Sequence, residues 1–162
     1  MTTPSIIRWF AIAKPEPTNQ DLLKQIAFHF EEVAEMLDAL KCEHTARQIK
    51  YFKDYLLFIS EYETRTAEWL DDIDRGALLD ALCDQVVTAT GVAVMAGMDF
   101  EPALAEVNRS NYTKFNADGT PYIKPDGKIG KNPETYQEPQ LADYVSLTDR
   151  QQANFTATTA EY

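Results

Sequence analysis

Apolar residues recur at intervals of three and four through the first part of the chain, which is the period of a buried stripe on an α-helix. The clearest stretch covers residues 21–40, and its apolar stripe consists of Leu22, Ile26, Phe30, Val33, Leu37 and Leu40. Thr18 or Asn19 can cap this helix, and Asp21 suits its positive N-terminal end. The pattern therefore predicts a first amphipathic helix that begins near Asn19.

Three more helices are predicted downstream. The second covers roughly residues 44–62, and its many aromatic side chains suit a thick core or a subunit interface. The third, at about residues 75–95, is the most apolar, and its small and β-branched residues suit a central helix closely surrounded by others. The fourth covers residues 100 to about 114. Asp99 is its predicted N-cap, and Pro102 falls in its first turn, where a missing N–H costs little.

The two ends of the chain lack this period. Residues 1–17 are predicted to form an extended lead-in. After Phe115 the chain is rich in Gly and Pro, and a small hairpin is predicted around Pro125, Asp126 and Gly127. The last fifteen residues are polar and are expected to be mobile or docked on a neighbouring subunit.

Together these elements predict an all-α protein, namely a four- to five-helix bundle with a long irregular C-terminal tail. One domain is expected over residues 1–162, because a chain of 162 residues is long enough for one core and short for two. Its helical core is predicted at about residues 19–115 and its tail at residues 116–162.

Charge and composition narrow the possible partners. The net charge of -11 arises from 26 acidic and 15 basic residues, and such a surface repels a nucleic-acid backbone, although a divalent metal can bridge carboxylates to a phosphorylated small molecule. Cys42 and Cys83 form no C-x-x-C pair, which favours a reducing compartment. No stretch approaches the roughly 18 apolar residues of a membrane span, so a cytoplasmic protein without a membrane partner is predicted.

The candidate chemistry lies in acidic residues at helical spacing. Glu32 and Glu35 are three apart in the first helix, so both can reach one ion, and Glu31 lies near Glu35. Asp80 and Asp84 are four apart in the apolar third helix. A carboxylate is costly to bury unless it is paired or binds a metal, so the position of these aspartates needs an explanation.

Carboxylates from two helices would supply the hard oxygen ligands that Mg²⁺ or Mn²⁺ prefers. His29 and His44 have no zinc-site spacing, and neither follows a glutamate as a di-iron bundle requires. The pattern has an ordinary alternative, because E-x-x-E also occurs on solvated helix faces. Asp80 could likewise be an interior acid that is hydrogen-bonded to Tyr or Arg.

The segment EEVAEM resembles the E-x-x-E half of the signature of the all-α nucleoside triphosphate pyrophosphohydrolases, which include MazG, dimeric dUTPases and phosphoribosyl-ATP pyrophosphohydrolase. Asp84, in DALCDQVV, matches the last aspartate of the family's E-x-x-D half. Downstream, EVNRSNYTKF and NADGTPYIKPDGKIGKNPETYQEPQL closely resemble a tail of MazG-like proteins from bacteria and phages. The resemblance covers residues 25–141 apart from residues 41–70. Ala81 departs from it, since the family has a glutamate there and the nearest acid is Asp80.

The resemblance implies roles for these acids. Glu32, Glu35 and Asp84 would be catalytic metal ligands, with Asp80 and Glu31 as further or outer ligands. The cofactor implied is Mg²⁺, with Mn²⁺ as a substitute and two or more ions per site.

Residues further along the chain would bind the substrate. Asn111, Lys114 and Lys131 would hold its phosphates. Lys114 and Lys131 could instead be solubilising lysines, and Asn111 could cap the fourth helix.

The implied reaction is hydrolysis of a (deoxy)nucleoside triphosphate to the monophosphate and pyrophosphate. One phage branch of MazG-like enzymes acts on (d)GTP, which makes dGTP, GTP or another purine dNTP the expected substrate of an enzyme in a bacterial cell or a phage-infected host. A dimer or tetramer is also implied. Two alternatives stay open: a metal-free interaction module, and a nucleotide-binding protein on the same fold that has lost turnover.

Overall fold

The computed structural model describes residues 2–124 and 129–146. In this part of the chain the regular secondary structure consists of helices, with two isolated β-bridges and no strand. The prediction of an all-α fold is thus confirmed. The described helices are α1 (Thr2–Ala13), α2 (Asn19–Ala39), α3 (Glu43–Ser60), α4 (Glu63–Leu70), α5 (Arg75–Met95) and α6 (Phe100–Tyr112), followed by a short 3₁₀ helix at Ala142–Tyr144.

The chain divides into two compact units. The first, Glu16–Arg75, contains α2, α3 and α4, and we call it the hairpin unit. The second joins Met1–Pro15 to the chain from Gly76 onward, and we call it the terminal unit.

Helices α2 and α3 of the hairpin unit pack against each other, and α4 contacts both of them. Their core consists of the buried side chains Leu23, Ala27, Leu56 and Ile59. The residues that α2 contributes to this core, Leu23 and Ala27, each lie one position after a predicted stripe residue. Leu22, which the pattern predicted to be buried, is exposed. Small side chains such as Ala27 let α3 approach closely, and the hydrophobic period does not distinguish this face from the neighbouring one.

The N-terminus of α2 follows the prediction. Thr18 is the N-cap, and its side chain accepts a hydrogen bond from the backbone N–H of Asp21 at 3.2 Å. The Asp21 carboxylate in turn accepts from the backbone N–H of Thr18 at 3.1 Å. This reciprocal capping box satisfies two N–H groups that a helix end would otherwise leave unpaired.

The predicted second helix, roughly residues 44–62, is α3, and it is followed by a further helix, α4, which the sequence pattern did not predict. The chain leaves the helical conformation after Ser60, and Tyr62 is extended before α4 begins at Glu63. The buried Thr66 hydroxyl donates to the backbone oxygen of Ile59 at 3.2 Å and ties α4 to the end of α3. Eight residues make barely two turns, which is too short for a hydrophobic period to reveal.

The predicted extended lead-in at residues 1–17 is wrong, because α1 occupies most of it. Trp9 donates from its indole Nε1 to the backbone oxygen of Asn111 at 2.9 Å, and its ring stacks on Phe115. The Tyr112 hydroxyl donates to the backbone oxygen of Ser5 at 2.8 Å. These contacts hold α1 against α6 and join residues about 100 positions apart, so no local pattern could show them.

Helix α5 has the predicted bounds but not the predicted surroundings. None of its side chains is buried, and Leu79, Val87 and Met95 are 64%, 68% and 91% exposed. The expectation of a closely surrounded central helix is therefore wrong for the single chain. By length and composition α5 could also cross a membrane, contrary to the expectation that no stretch would qualify.

The chain after α6 folds back onto that helix. Ile123 and Ile129 form an antiparallel bridge, as the predicted hairpin requires. Its turn, residues 125–128, lies outside the described residues, as do the last fifteen residues. The Thr135 hydroxyl donates to the backbone oxygens of Thr113 and Phe115, which fastens the returning chain near the end of α6.

Candidate metal and phosphate sites

Helix α2 presents three glutamates on neighbouring positions of its surface. Glu32 and Glu35 are exposed and lie one turn apart, so both carboxylates point to the same side of the helix. Glu31 is more enclosed, and Lys53 of α3 places its Nζ 3.5 Å from the Glu31 Oε1. Lys53 partly neutralises Glu31, which agrees better with the outer role predicted for this residue than with direct metal binding.

Lys53 is itself held by two acids. Its Nζ lies 2.8 Å from the Asp54 Oδ1, and the hydrogen bond that it donates to Asp54, together with the charges of Glu31 and Asp54, raises the pKa of Lys53 above its ordinary value. The lysine therefore stays cationic and keeps one fixed positive charge beside the glutamates of α2.

On α5, Asp80 and Asp84 are both exposed and lie one turn apart. Within the single chain Asp80 is therefore not an interior acid. The Thr88 hydroxyl donates to the backbone oxygen of Asp84 at 2.9 Å, so this hydrogen bond does not involve the Asp84 carboxylate. Ala81 is exposed next to Asp80, so the position where the resembling family has a glutamate also faces solvent.

Within the two described ranges no group of three or more His, Cys, Asp and Glu side chains is assembled for a metal ion. The α2 pair belongs to the hairpin unit and the α5 pair to the terminal unit. A shared magnesium site for Glu32, Glu35, Asp80 and Asp84 stays a prediction. The donors are all carboxylates, and this chemistry suits Mg²⁺ or Mn²⁺ rather than zinc.

The predicted phosphate-binding residues all belong to the terminal unit. Asn111 and Lys114 are half-buried at the end of α6, where the backbone oxygen of Asn111 accepts the Trp9 indole. Lys131 is exposed, and its Nζ lies 4.8 Å above the Tyr136 ring and 4.0 Å from the Glu138 Oε1. Asn111 and Lys114 are neighbours, because the backbone N–H of Lys114 donates to the backbone oxygen of Asn111 at 3.2 Å. Lys131 lies in the returning chain, beside Tyr136 and Glu138.

A polar anchor on α6, which the sequence analysis did not single out, holds the returning chain. Arg109 donates from Nε and Nη2 to the two Glu106 oxygens, both at 2.7 Å, and from Nη1 to the Gln137 Oε1 at 3.0 Å. The backbone N–H of Gln140 donates to the Glu106 Oε1 at 2.8 Å. The spacing of Glu106 and Arg109 is visible in the sequence, but their contacts with residues 137–140 are not.

The bonds from Arg109 and Gln140 lower the pKa of Glu106 to about 2. A carboxyl whose pKa is lowered on folding contributes stability that is present above its unfolded pKa and is lost as the pH falls through its folded pKa. We therefore expect the Gln140 amide to be protected from hydrogen exchange at pH 5 and to lose protection toward pH 2, after correction for the intrinsic exchange rate. The measurement is amide exchange followed by NMR.

Glu106→Gln should remove this acid-dependent step, and Glu101→Gln, an exposed acid on the same helix, should leave it unchanged. Equal protection of the Gln140 amide at pH 5 and pH 2 in the parent protein would contradict the assignment.

Comparisons of the chain with family models, curated proteins and solved structures found no match. By its own structure the protein is an all-α protein with two compact helical units. The resemblance to the MazG-like pyrophosphohydrolases rests on the sequence segments alone and stays a prediction.

Proposed function

We propose that the protein is a metal-dependent nucleoside triphosphate pyrophosphohydrolase. The observation that carries the proposal is that two helices each expose a carboxylate pair one turn apart, Glu32 with Glu35 on α2 and Asp80 with Asp84 on α5. Each exposed pair at this spacing offers hard oxygen ligands on one face of its helix. The tail segments that resemble MazG-like proteins add the second line of support.

In the proposed reaction, water attacks the α-phosphorus of the nucleotide, and the α–β phosphoanhydride bond breaks to release pyrophosphate. Glu32, Glu35 and Asp84 would hold the metal and orient the attacking water, and Asp80 and Glu31 would complete the acidic surroundings. Asn111 and Lys114 hold phosphate oxygens, and Lys131 adds a charge from the tail. Bound Mg²⁺ or Mn²⁺ would supply neutralisation of the triphosphate charge. A purine nucleotide, with dGTP or GTP first, is the proposed substrate.

Self-association is part of the proposal, and α5 supports it. Apolar side chains lie on all sides of this 21-residue helix, and none of them is buried in the single chain. An exposed apolar surface that runs along a helix of 21 residues marks an interface. A bilayer suits α5 less well than protein does, because Asp80 and Asp84 would be costly in hydrocarbon. We therefore propose a dimer or tetramer in which α5 lies between subunits.

A panel of nucleotides tests the reaction directly. The purified protein is incubated with each NTP and dNTP and with Mg²⁺, Mn²⁺ or a chelator, and the products are followed by ³¹P NMR. We expect equal amounts of monophosphate and pyrophosphate with metal, fastest for a purine nucleotide, and none with chelator. Orthophosphate as the first product would exclude attack at the α-phosphorus.

The same panel tests two competing functions. The absence of the family's glutamate at Ala81 favours the first of them, a nucleotide-binding protein without turnover. A nucleotide-binding protein that lacks turnover would gain thermal stability with nucleotide and metal, because a ligand that binds only the folded state raises its stability. It would release no pyrophosphate. A metal-free interaction module would show neither turnover nor a change in melting temperature with Mg²⁺ or Mn²⁺.

A further inference from the structure

A cavity of about 650 Å³ opens in the hairpin unit where α3 ends and α4 begins. Three half-exposed aromatic side chains line it, namely Tyr55, Tyr62 and Trp69. The rings of Tyr55 and Trp69 meet edge to face, with centroids 6.3 Å apart. The volume lies within the range of small-molecule sites, and the aromatic walls supply the apolar surface that such sites use.

The walls of this aromatic cavity are held in place. Trp69 also contacts Phe52, which in turn meets Phe30 of α2 edge to face at 4.9 Å. The bond from the buried Thr66 hydroxyl to Ile59 fixes α4 against the end of α3. The Trp69 ring is therefore supported by the packed side of the unit, so a ligand that contacts this wall need not order it.

Charge decides which ligand the cavity suits. Three glutamates line it, Glu61, Glu63 and Glu68, and Arg65 is its single basic residue. In the described part of the chain none of these glutamates forms an ion pair. The lining therefore has a negative excess, which the overall charge of -11 reinforces. Such a site repels phosphate groups and attracts cations.

Aromatic faces and carboxylates together recognise organic cations. An ammonium group gains from the electron-rich face of Trp or Tyr, and a methylene chain gains from their apolar area. A hydrated metal ion would use the carboxylates but not the rings. We propose that this aromatic cavity is a second binding site, distinct in charge and chemistry from the nucleotide site, and that its ligand is an alkylammonium compound with two or more amino groups, the class of diamines and polyamines.

Tryptophan fluorescence can report binding at one wall of the cavity. The chain has two tryptophans, and the other one, Trp9, lies in the terminal unit. In a Trp9→Phe variant the signal comes from Trp69 alone. Titration with 1,5-diaminopentane and spermidine at constant ionic strength should give a saturable change, and the matched neutral compound pentane-1,5-diol should give none. Calorimetry on the unaltered chain repeats the titration without any substitution.

Paired variants separate the site from general attraction. Glu63→Gln with Glu68→Gln should weaken diamine binding at least about tenfold, and Trp69→Leu about fivefold. The control, Glu101→Gln with Glu134→Gln, makes the same change in net charge at exposed positions of the terminal unit and should leave affinity within about twofold. An equal loss in the control would overturn the proposal, because binding would then be non-specific attraction.

Two further arms identify the source of the amine and the main competing ligand. A short peptide with two lysine side chains tests whether the ammonium groups can come from a protein, and its binding at the same residues would support the site with that source. Adenosine or guanosine binding without any diamine binding would overturn the proposal in favour of a nucleobase site. All these readouts are independent of pyrophosphate release, so the site and the proposed enzyme function can fail separately.

Discussion

Glu35→Gln is expected to reduce pyrophosphate release at least about 100-fold while the helix content and melting temperature stay close to those of the parent protein. The substitution keeps the size of the side chain and removes the charge that a hard cation requires. Glu35 is exposed, so no packing is lost. The measurement is kcat/KM with the best nucleotide from the panel, together with metal affinity by calorimetry.

Two variants serve as controls for this loss. Glu16→Gln removes an exposed acid that lies before α2, and it should leave turnover unchanged. Glu31→Gln should have a smaller effect than Glu35→Gln, because Lys53 already lies 3.5 Å from Glu31. Full turnover in Glu35→Gln would show that the ligand set is wrong. A folded parent protein without any turnover would point to the nucleotide-binding alternative.

Val87→Glu should separate the subunits. Val87 is 68% exposed in the single chain and lies in the middle of α5, so in the proposed oligomer it would be enclosed between subunits. An unpaired charge in an interface weakens association by about 2–5 kcal/mol, or at least about 30-fold. Light scattering after size exclusion should give a multiple of 18.4 kDa for the parent protein and one chain for the variant.

Val145→Glu is the matched control for the interface. It makes the same change at another exposed valine outside α5 and should keep the oligomeric mass of the parent protein. A parent protein that is already monomeric at 18.4 kDa would contradict the proposed interface. Partition of the parent protein, but not of Val87→Glu, into lipid vesicles would show instead that α5 meets a membrane.

Prediction from sequence succeeded where the evidence was local. The helix cap at Thr18, which was one of two predicted positions, and the bounds of α5 follow from residues within a few positions of each other. Prediction was wrong where distant residues decide. Helix α1 depends on Trp9 and Ser5 meeting the end of α6. Helix α4 was missed for another reason, since it has only eight residues, too few to show a hydrophobic period.

The candidate sites show the same division. Helical geometry places Glu32 beside Glu35 and Asp80 beside Asp84 whatever the rest of the fold does, so the sequence alone determined both carboxylate pairs. Their surroundings were not predictable, since the apolar character of α5 suggested burial and the folded chain leaves the helix exposed.

The sequence by itself determined the all-α class, the long helices and the spacing of the acids, because each depends on the helical repeat and on neighbouring residues. Only the tertiary structure decided which faces are buried, how the tail returns to α6, and that Tyr55, Tyr62 and Trp69 line one cavity. The physical reason is that burial and cavities arise where helices meet, and the meeting of Tyr55 with Trp69 required the chain to bend between α3 and α4.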